Sequence, residues 1–349
     1  MKIENIFKEA VKKKASDVHL MVGLKPFLRI DGQLKSLEKE GEITNQELKK
    51  ETFSLISSDQ KERFLSEYDL DFSYSLKSGE RFRVNLHFEK NNLGLVARVI
   101  EEDKPTLEEI GMPLDISKGL LNGKQGLILV TGPTGCGKST TLAAMIEYIN
   151  NNRNCNIITF EDPIEFLFKS KKSIIAQRQL GSDMKAFASG LKYAMRQDPD
   201  VIMVGEMRDL ETIATTITLA ETGHLVLATL HTYNSAQTID RIIDIFPPHQ
   251  QNQVRSQVSS TLKAVFSQRL LTTADQSGRV AAREVMLNNP AIANLIREGK
   301  ISQIKNTMDT SKEKGMMTID SDIKRLYQEG KIEKEEAKIN MENPESLKQ

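Results

Sequence analysis

The run Gly132-Pro133-Thr134-Gly135-Cys136-Gly137-Lys138-Ser139 carries the clearest chemistry in this sequence. It matches G-x-x-x-x-G-K-[ST], the pattern of a phosphate-binding loop. Glycines let successive backbone N–H groups curl around a phosphate, and a helix starting at the end of the loop adds the partial positive charge of its N-terminus. Lys138 is placed to reach the β- and γ-phosphates of a nucleotide, and Ser139 to ligate magnesium. Both flanks suit such a loop: the apolar run Leu127 to Val130 precedes it and a helical pattern, Lys138 to Ile149, follows. The chemistry expected is binding of ATP with Mg2+, and Gly132, Pro133, Thr134, Gly135, Cys136, Gly137, Lys138, Ser139 and Thr140 are the candidate nucleotide-binding residues.

Hydrolysis needs acidic groups at the tips of neighbouring strands. Residues 201 to 204, Val-Ile-Met-Val, lead to Glu206, which could hold magnesium through water or orient the attacking water. The cluster Glu161-Asp162-Pro163-Ile164-Glu165 ends the strand Asn156 to Phe160, and one of its carboxylates is a candidate to polarise that water. His224 and His231 bracket the run LVLATL at an odd separation, so strand alternation sends them to opposite faces and a shared metal is not expected. His231 lies at the C-terminal end of that run, where open α/β sheets bind ligands. Cys136 neighbours Lys138 and a helix N-terminus, a setting that favours thiolate. It is therefore expected to react faster than Cys155, which opens an apolar strand as a small hydrophobe.

The elements that must position these residues read in two styles. In residues 1–103, Ile3, Ile6, Phe7, Ala10 and Val11 share a helical stripe, and Asp31-Gly32 joins PFLRI to QLKSL as a hairpin turn. Thr44 and Glu47 form a capping box opening a helix to about Ser57. Tyr68, Leu70, Phe72, Tyr74 and Leu76 then alternate with polar residues, as do Phe82, Val84, Leu86 and Phe88 with Arg81, Arg83, Asn85 and His87. A third strand, Leu93 to Ile100, carries Arg98. This predicts a half-buried antiparallel sheet with helices on one side, whose polar face presents arginines. Residues 104–113, with Pro105, Gly111 and Pro113, read as a linker. Beyond it, LILV, IITF, VIMV and LVLATL alternate with helical stretches, the pattern of a parallel sheet covered on both faces. After about Gln250 the chain reads mostly helical, with a charged, frayed tail.

Composition narrows the class. The 349 residues are enough for two domains. Lys plus Arg and Asp plus Glu balance at 48 each, so no broad nucleic-acid-binding surface is expected. Two cysteines cannot make a disulfide framework or a four-cysteine zinc site. The N-terminus lacks a continuous apolar segment and no run approaches the ~20 residues of a membrane span, which predicts a cytoplasmic protein.

GPTGCGKST, ITFEDPIEF, DPDVIMVGEMRD and AETGHLVLATLHT, in this order, resemble the Walker A, Asp, Walker B and His boxes of the secretion ATPase superfamily, and in particular its PilT-type retraction ATPases of type IV pili. The likeness extends to RFRVN, NPAIANLIREGK and GMMTID. It implies an α/β chain: a PAS-like α+β domain (1–103), the linker (104–113) and a RecA-like P-loop ATPase domain with a helical C-terminal region (114–349). It also implies a homohexameric ring at the cytoplasmic face of the inner membrane, working on a membrane platform protein and, through it, on pilin. Carried onto this sequence, it makes Glu165 the catalytic carboxylate, Glu206 the Walker B acid, His231 a sensor of the γ-phosphate, and Arg83 and Arg98 fingers lent to the nucleotide, with Arg81 a weaker candidate. Ala293 stands where the family's AIRNLIRE element has an arginine, and a related ATPase driving extension or secretion, or a regulatory nucleotide-binding homologue, is the alternative. The absent four-cysteine motif argues against the extension and type II secretion branches.

Overall fold

The computed structural model describes residues 2–30, 32–100 and 104–348. They form two compact units, one of Met1–Asp103 with Glu165–Leu167, the other of Lys104–Ile164 and Phe168–Gln349. Among the described residues, no helix is long and apolar enough to cross a membrane.

The first unit opens with α1 (Ile3–Lys12), then β1 (Asp17–Met21), β2 (Phe27–Ile30) and β3 (Gln33–Ser36). Helices α2 (Asn45–Phe53) and α3 (Ser58–Glu67) precede β4 (Asp69–Ser75), β5 (Arg81–Glu89) and β6 (Asn92–Ile100). The strands form one antiparallel sheet in the order β3-β2-β1-β6-β5-β4. Alternation drives it: Leu70, Phe72, Phe82, Val84 and Leu86 face a core shared with Ile3, Ile6, Phe7 and Ala10. Phe7 stacks on Phe82 with centroids 4.2 Å apart. Of the expected hairpin turn, Gly32 takes φ +77° and Asp31 lies outside the described residues.

Two local expectations need correcting. The helix from Thr44 stops at Phe53 because Ser57 and Gln60 form a second capping box that starts α3. Tyr68 is not the first residue of the β4 stripe. It ends α3 in the left-handed region (φ +64°) and is exposed.

The second unit runs α4 (Leu114–Leu121), β7 (Gly126–Thr131), α5 (Lys138–Asn152), β8 (Asn156–Glu161) and β9 (Ile174–Gln179). It continues α6 (Phe187–Ala194), β10 (Val201–Val204), α7 (Leu210–Glu221), β11 (Leu225–Leu230), α8 (Ser235–Asp244) and α9 (Pro248–Thr261). It closes with β12 (Leu262–Thr272), β13 (Arg279–Leu287), α10 (Pro290–Glu298), α11 (Ile304–Asp309), α12 (Ile319–Gln328) and α13 (Lys334–Asn340). The sheet order is β13-β12-β7-β11-β10-β8-β9. All neighbours are parallel except β12 with β13. Every residue of β7, β10 and β11 is buried, as continuous apolar strands covered on both faces require. Leu107 and Met112 also belong to this unit's core.

The stretch after Gln250 is mostly helical, as expected, but residues 262–287 interrupt it with the long hairpin of β12 and β13. Lys263, Ser267, Gln268 and Arg269 interrupt the apolar pattern of β12, yet the strand lies inside the sheet, where polar side chains are buried by hydrogen-bonding inward. The tail is not frayed. Ile332, Ala337 and Met341 pack with Leu271, Ile319, Ile323 and Leu326, while Arg269 donates to the Asn340 carbonyl (2.8 Å). Sparse apolar residues at near-helical spacing are enough to dock a charged segment.

Candidate functional site

The phosphate loop bends back because glycine stands where a side chain cannot. A Cβ at Gly132 (φ +142°) would lie 2.3 Å from the backbone oxygen of Gln268. Gly137 (φ +87°) takes the left-handed conformation that starts α5. Lys138 is buried beneath the loop, its Nζ donating to the carbonyls of Gly132 (2.8 Å) and Pro133 (3.1 Å). A backbone turn from Cys136 N–H to the Pro133 carbonyl (3.3 Å) closes the middle of the loop.

Beside the loop, β10 and β11 deliver two more candidates. His231, just past β11, brings Nδ1 within 3.4 Å of Thr134 Oγ1 and 3.5 Å of Lys138 Nζ. Its Nε2 lies 3.2 Å from Oε1 of Glu206. Arg208 donates to the other oxygen of Glu206 (2.8 Å). Burial alone would raise the Glu206 pKa, but the Arg208 hydrogen bond and the charges of His231 and Arg208 outweigh it and hold the carboxyl below its ordinary range. The backbone after β10 is pinned by the Thr229 hydroxyl on the Gly205 carbonyl and by Asp209, which caps α7 through Thr212 N–H (2.9 Å). The fold thus joins Thr134, Lys138, His231 and Glu206 in one chain of contacts, with Ser139 in the first turn of α5.

His224 sits at the opposite end of β11, its Nδ1 2.9 Å from the Leu219 carbonyl and 3.2 Å from the Thr222 hydroxyl, a local structural role. Glu161 is buried and accepts from Thr159 (2.6 Å) and Gln177 (3.0 Å). Glu165 is exposed, and with Leu167 it bounds the short segment grouped with the first unit.

Arg83 and Arg98 also belong to the first unit, directly opposite each other on β5 and β6. Asp17 on β1 faces Arg98 from its other side and accepts from Arg98 Nε at 2.9 Å, while 68% of the Arg98 side chain stays exposed. Strand alternation could have flagged Asp17, since D-V-H-L places it on the polar face.

The expectation for Cys136 is overturned. Its side chain is buried, and burial pushes the thiol pKa up despite the neighbouring Lys138. Cys155 is partly exposed and 3.2 Å from the Ser173 hydroxyl. Loss of hydration outweighs the lowering effects of Lys138 and the surrounding hydrogen bonds, because Cys136 packs against Gly132 and is hydrogen-bonded by Gln268. Gln268, buried on β12, was not legible as a site residue. It donates to the Cys136 carbonyl (2.6 Å) and accepts from the Thr141 hydroxyl (2.9 Å). Next to it opens a cavity of about 710 Å³ lined by Gly137, Thr140, Leu270, Val280, Arg279 and Arg283 among others. That volume fits a small organic ligand.

With this geometry in place, comparison with known proteins is specific. A family model described as Type II/IV secretion system protein matches residues 1–347. The type IV pilus retractation ATPase PilT of Pseudomonas aeruginosa is 42% identical over 347 residues, covering 99% of this chain and 100% of that relative. A twitching motility protein of Neisseria gonorrhoeae is 44% identical over 322 residues, 92% of this chain and 86% of its own. A crystal structure of the pilus retraction motor PilT with bound ADP matches with a TM-score of 0.92 at 44% identity, covering 100% of this chain and 99% of that one.

Proposed function

We propose a function from one premise: this chain belongs to the Type II/IV secretion system protein family. It is an ATPase of the pilus-retraction type, hydrolysing ATP and coupling that to withdrawal of pilin from the base of a type IV pilus. The observation that carries the reading is the contact chain from the Lys138 loop through His231 to Glu206. A side chain touching both the phosphate loop and the Walker B acid can report whether a γ-phosphate is present.

In this reading Lys138 and the loop N–H groups hold the phosphates, and the cavity beside Gly137 and Thr140 takes the nucleoside. The Ser139 hydroxyl and the Glu206 carboxylate are hard oxygen donors of the kind Mg2+ prefers, and the ion would neutralise charge on the phosphates. Glu165 orients and deprotonates the water, and Arg83 and Arg98 stabilise charge that develops in the transition state. The working form is a homohexamer at the cytoplasmic face of the inner membrane, turning a platform protein there. It has no nucleic-acid partner, in keeping with the balanced charge.

Phosphate release by the purified full chain with Mg2+-ATP tests this. Turnover should be steady in the wild type and undetectable in Lys138→Ala. Equal turnover in a folded Lys138→Ala would remove the loop from the mechanism.

A further inference from the structure

The strand that sequence reading missed touches the phosphate loop at both ends. The backbone oxygen of Gln268 lies against Gly132, and its side-chain amide donates to the Cys136 carbonyl at 2.6 Å. The amide's orientation is not free. Thr141, buried in the first turns of α5, donates its hydroxyl to Oε1 at 2.9 Å, which leaves Nε2 for Cys136. One residue earlier, Ser267 accepts from Thr131 at 2.8 Å, locking β12 to β7 at the point where the loop leaves the sheet.

The peptide joining Cys136 to Gly137 is trans, since Asp162-Pro163 is the cis bond among the described residues. In a trans peptide the carbonyl and the following N–H point in opposite directions. Holding the Cys136 carbonyl toward β12 therefore turns the Gly137 N–H away from β12. Gly137 has no Cβ and a φ of +87°, so without that hold this peptide could rotate at little steric cost.

We propose that Gln268 is a positioning residue for nucleotide binding. By holding the Cys136 carbonyl it aims the Gly137 N–H at the β-phosphate, and Thr141 keeps the Gln268 amide in the one orientation that can do so. This rests on the reading of the loop as a nucleotide site and adds a residue outside the loop to it.

The contact with the β-phosphate exists in substrate, transition state and ADP product alike. Its loss should weaken binding uniformly, raising KM for ATP and Kd for ADP together and leaving kcat nearly unchanged. Gln268→Glu keeps the shape but sets an acceptor against the Cys136 carbonyl. We expect KM and Kd for ADP to rise about tenfold or more, as for one lost hydrogen bond to a charged group. Thr141→Val frees the amide to flip and should shift both in the same direction by a smaller factor, about threefold. A merely structural role would lower kcat through a reduced folded fraction, with KM and Kd unchanged. Unchanged KM and Kd in a folded Gln268→Glu, or a fall in kcat alone, would overturn the proposal. Should Gln268→Glu not fold, Thr141→Val decides, and wild-type ADP affinity there overturns it. Lys138→Ala, measured alongside, separates the readings: if it retains turnover the nucleotide site itself is wrong, and if it is dead while Gln268→Glu binds normally only this inference fails.

Discussion

The two units place their charged residues by opposite means. In the second unit the sheet is buried on both faces, and Lys138, Glu206 and His231 stand just past strand and loop ends, linked to one another through His231. Lys138 is buried and fully engaged with loop carbonyls. In the first unit the sheet is solvated on one face, and Arg98 stands on it with one carboxylate, Asp17, fixing its Nε. The first arrangement makes a rigid cradle. The second presents a guanidinium on a side chain that is 68% exposed. In the function proposed, Lys138 serves binding, and Arg98 would supply charge needed only in the transition state.

Several substitutions can break that division. Removing Arg98 should cost the most after Lys138: Arg98→Ala is expected to lower kcat about a thousandfold, with a much smaller effect on KM. A rise in KM alone would make Arg98 a binding residue and erase the contrast. Mixed hexamers of Arg98→Ala and Lys138→Ala should recover some turnover if neighbouring subunits share a site, and no recovery would place the fingers within one chain.

Glu165→Gln should retain ATP binding and lose about a hundredfold in turnover, because an amide cannot accept the water proton. Glu161→Gln is the control, since Glu161 is already occupied by Thr159 and Gln177. If the control loses turnover and Glu165→Gln does not, the catalytic carboxylate sits on the rigid sheet. Asp17→Ala sharpens the picture of a presented arginine. It should reduce kcat about tenfold by freeing Arg98 to adopt other rotamers, a loss of orientation rather than of charge. An unchanged kcat would mean that Arg98 needs no fixing.

The smallest effect concerns acid stability. Glu206 is held below the ordinary carboxylate range, so as pH falls the unfolded chain takes up that proton before the folded one. Its contribution is present above the ordinary carboxylate pKa and is lost as pH falls through the lower folded value. Glu206→Gln should therefore flatten the acid limb of Tm against pH, and an acid limb identical to wild type would show the carboxylate to be unperturbed.

The same contrast explains what could be read from the sequence. The loop was legible because its backbone demands glycine at Gly132 and Gly137, and a constraint on residue type leaves a trace in the letters. The sheets were legible from period, two for β4 and β5 and none for the continuous strands β7, β10 and β11. Strand β12 was not, because its buried polar residues serve partners far away in sequence, Thr131, Cys136 and Thr141, and no local pattern records them. Tyr68 misled because a helix end in the left-handed region resembles the first beat of an alternating strand. Cys136 misled because its charged neighbours are visible in sequence while its burial is not.

Deletion of the gene tests most directly whether this ATPase withdraws pili. Cells lacking it should carry excess surface pili that no longer retract, and should lose twitching motility, with both restored by the wild-type gene and not by Lys138→Ala. Cells left with no pili would instead make this chain an extension motor and contradict the account.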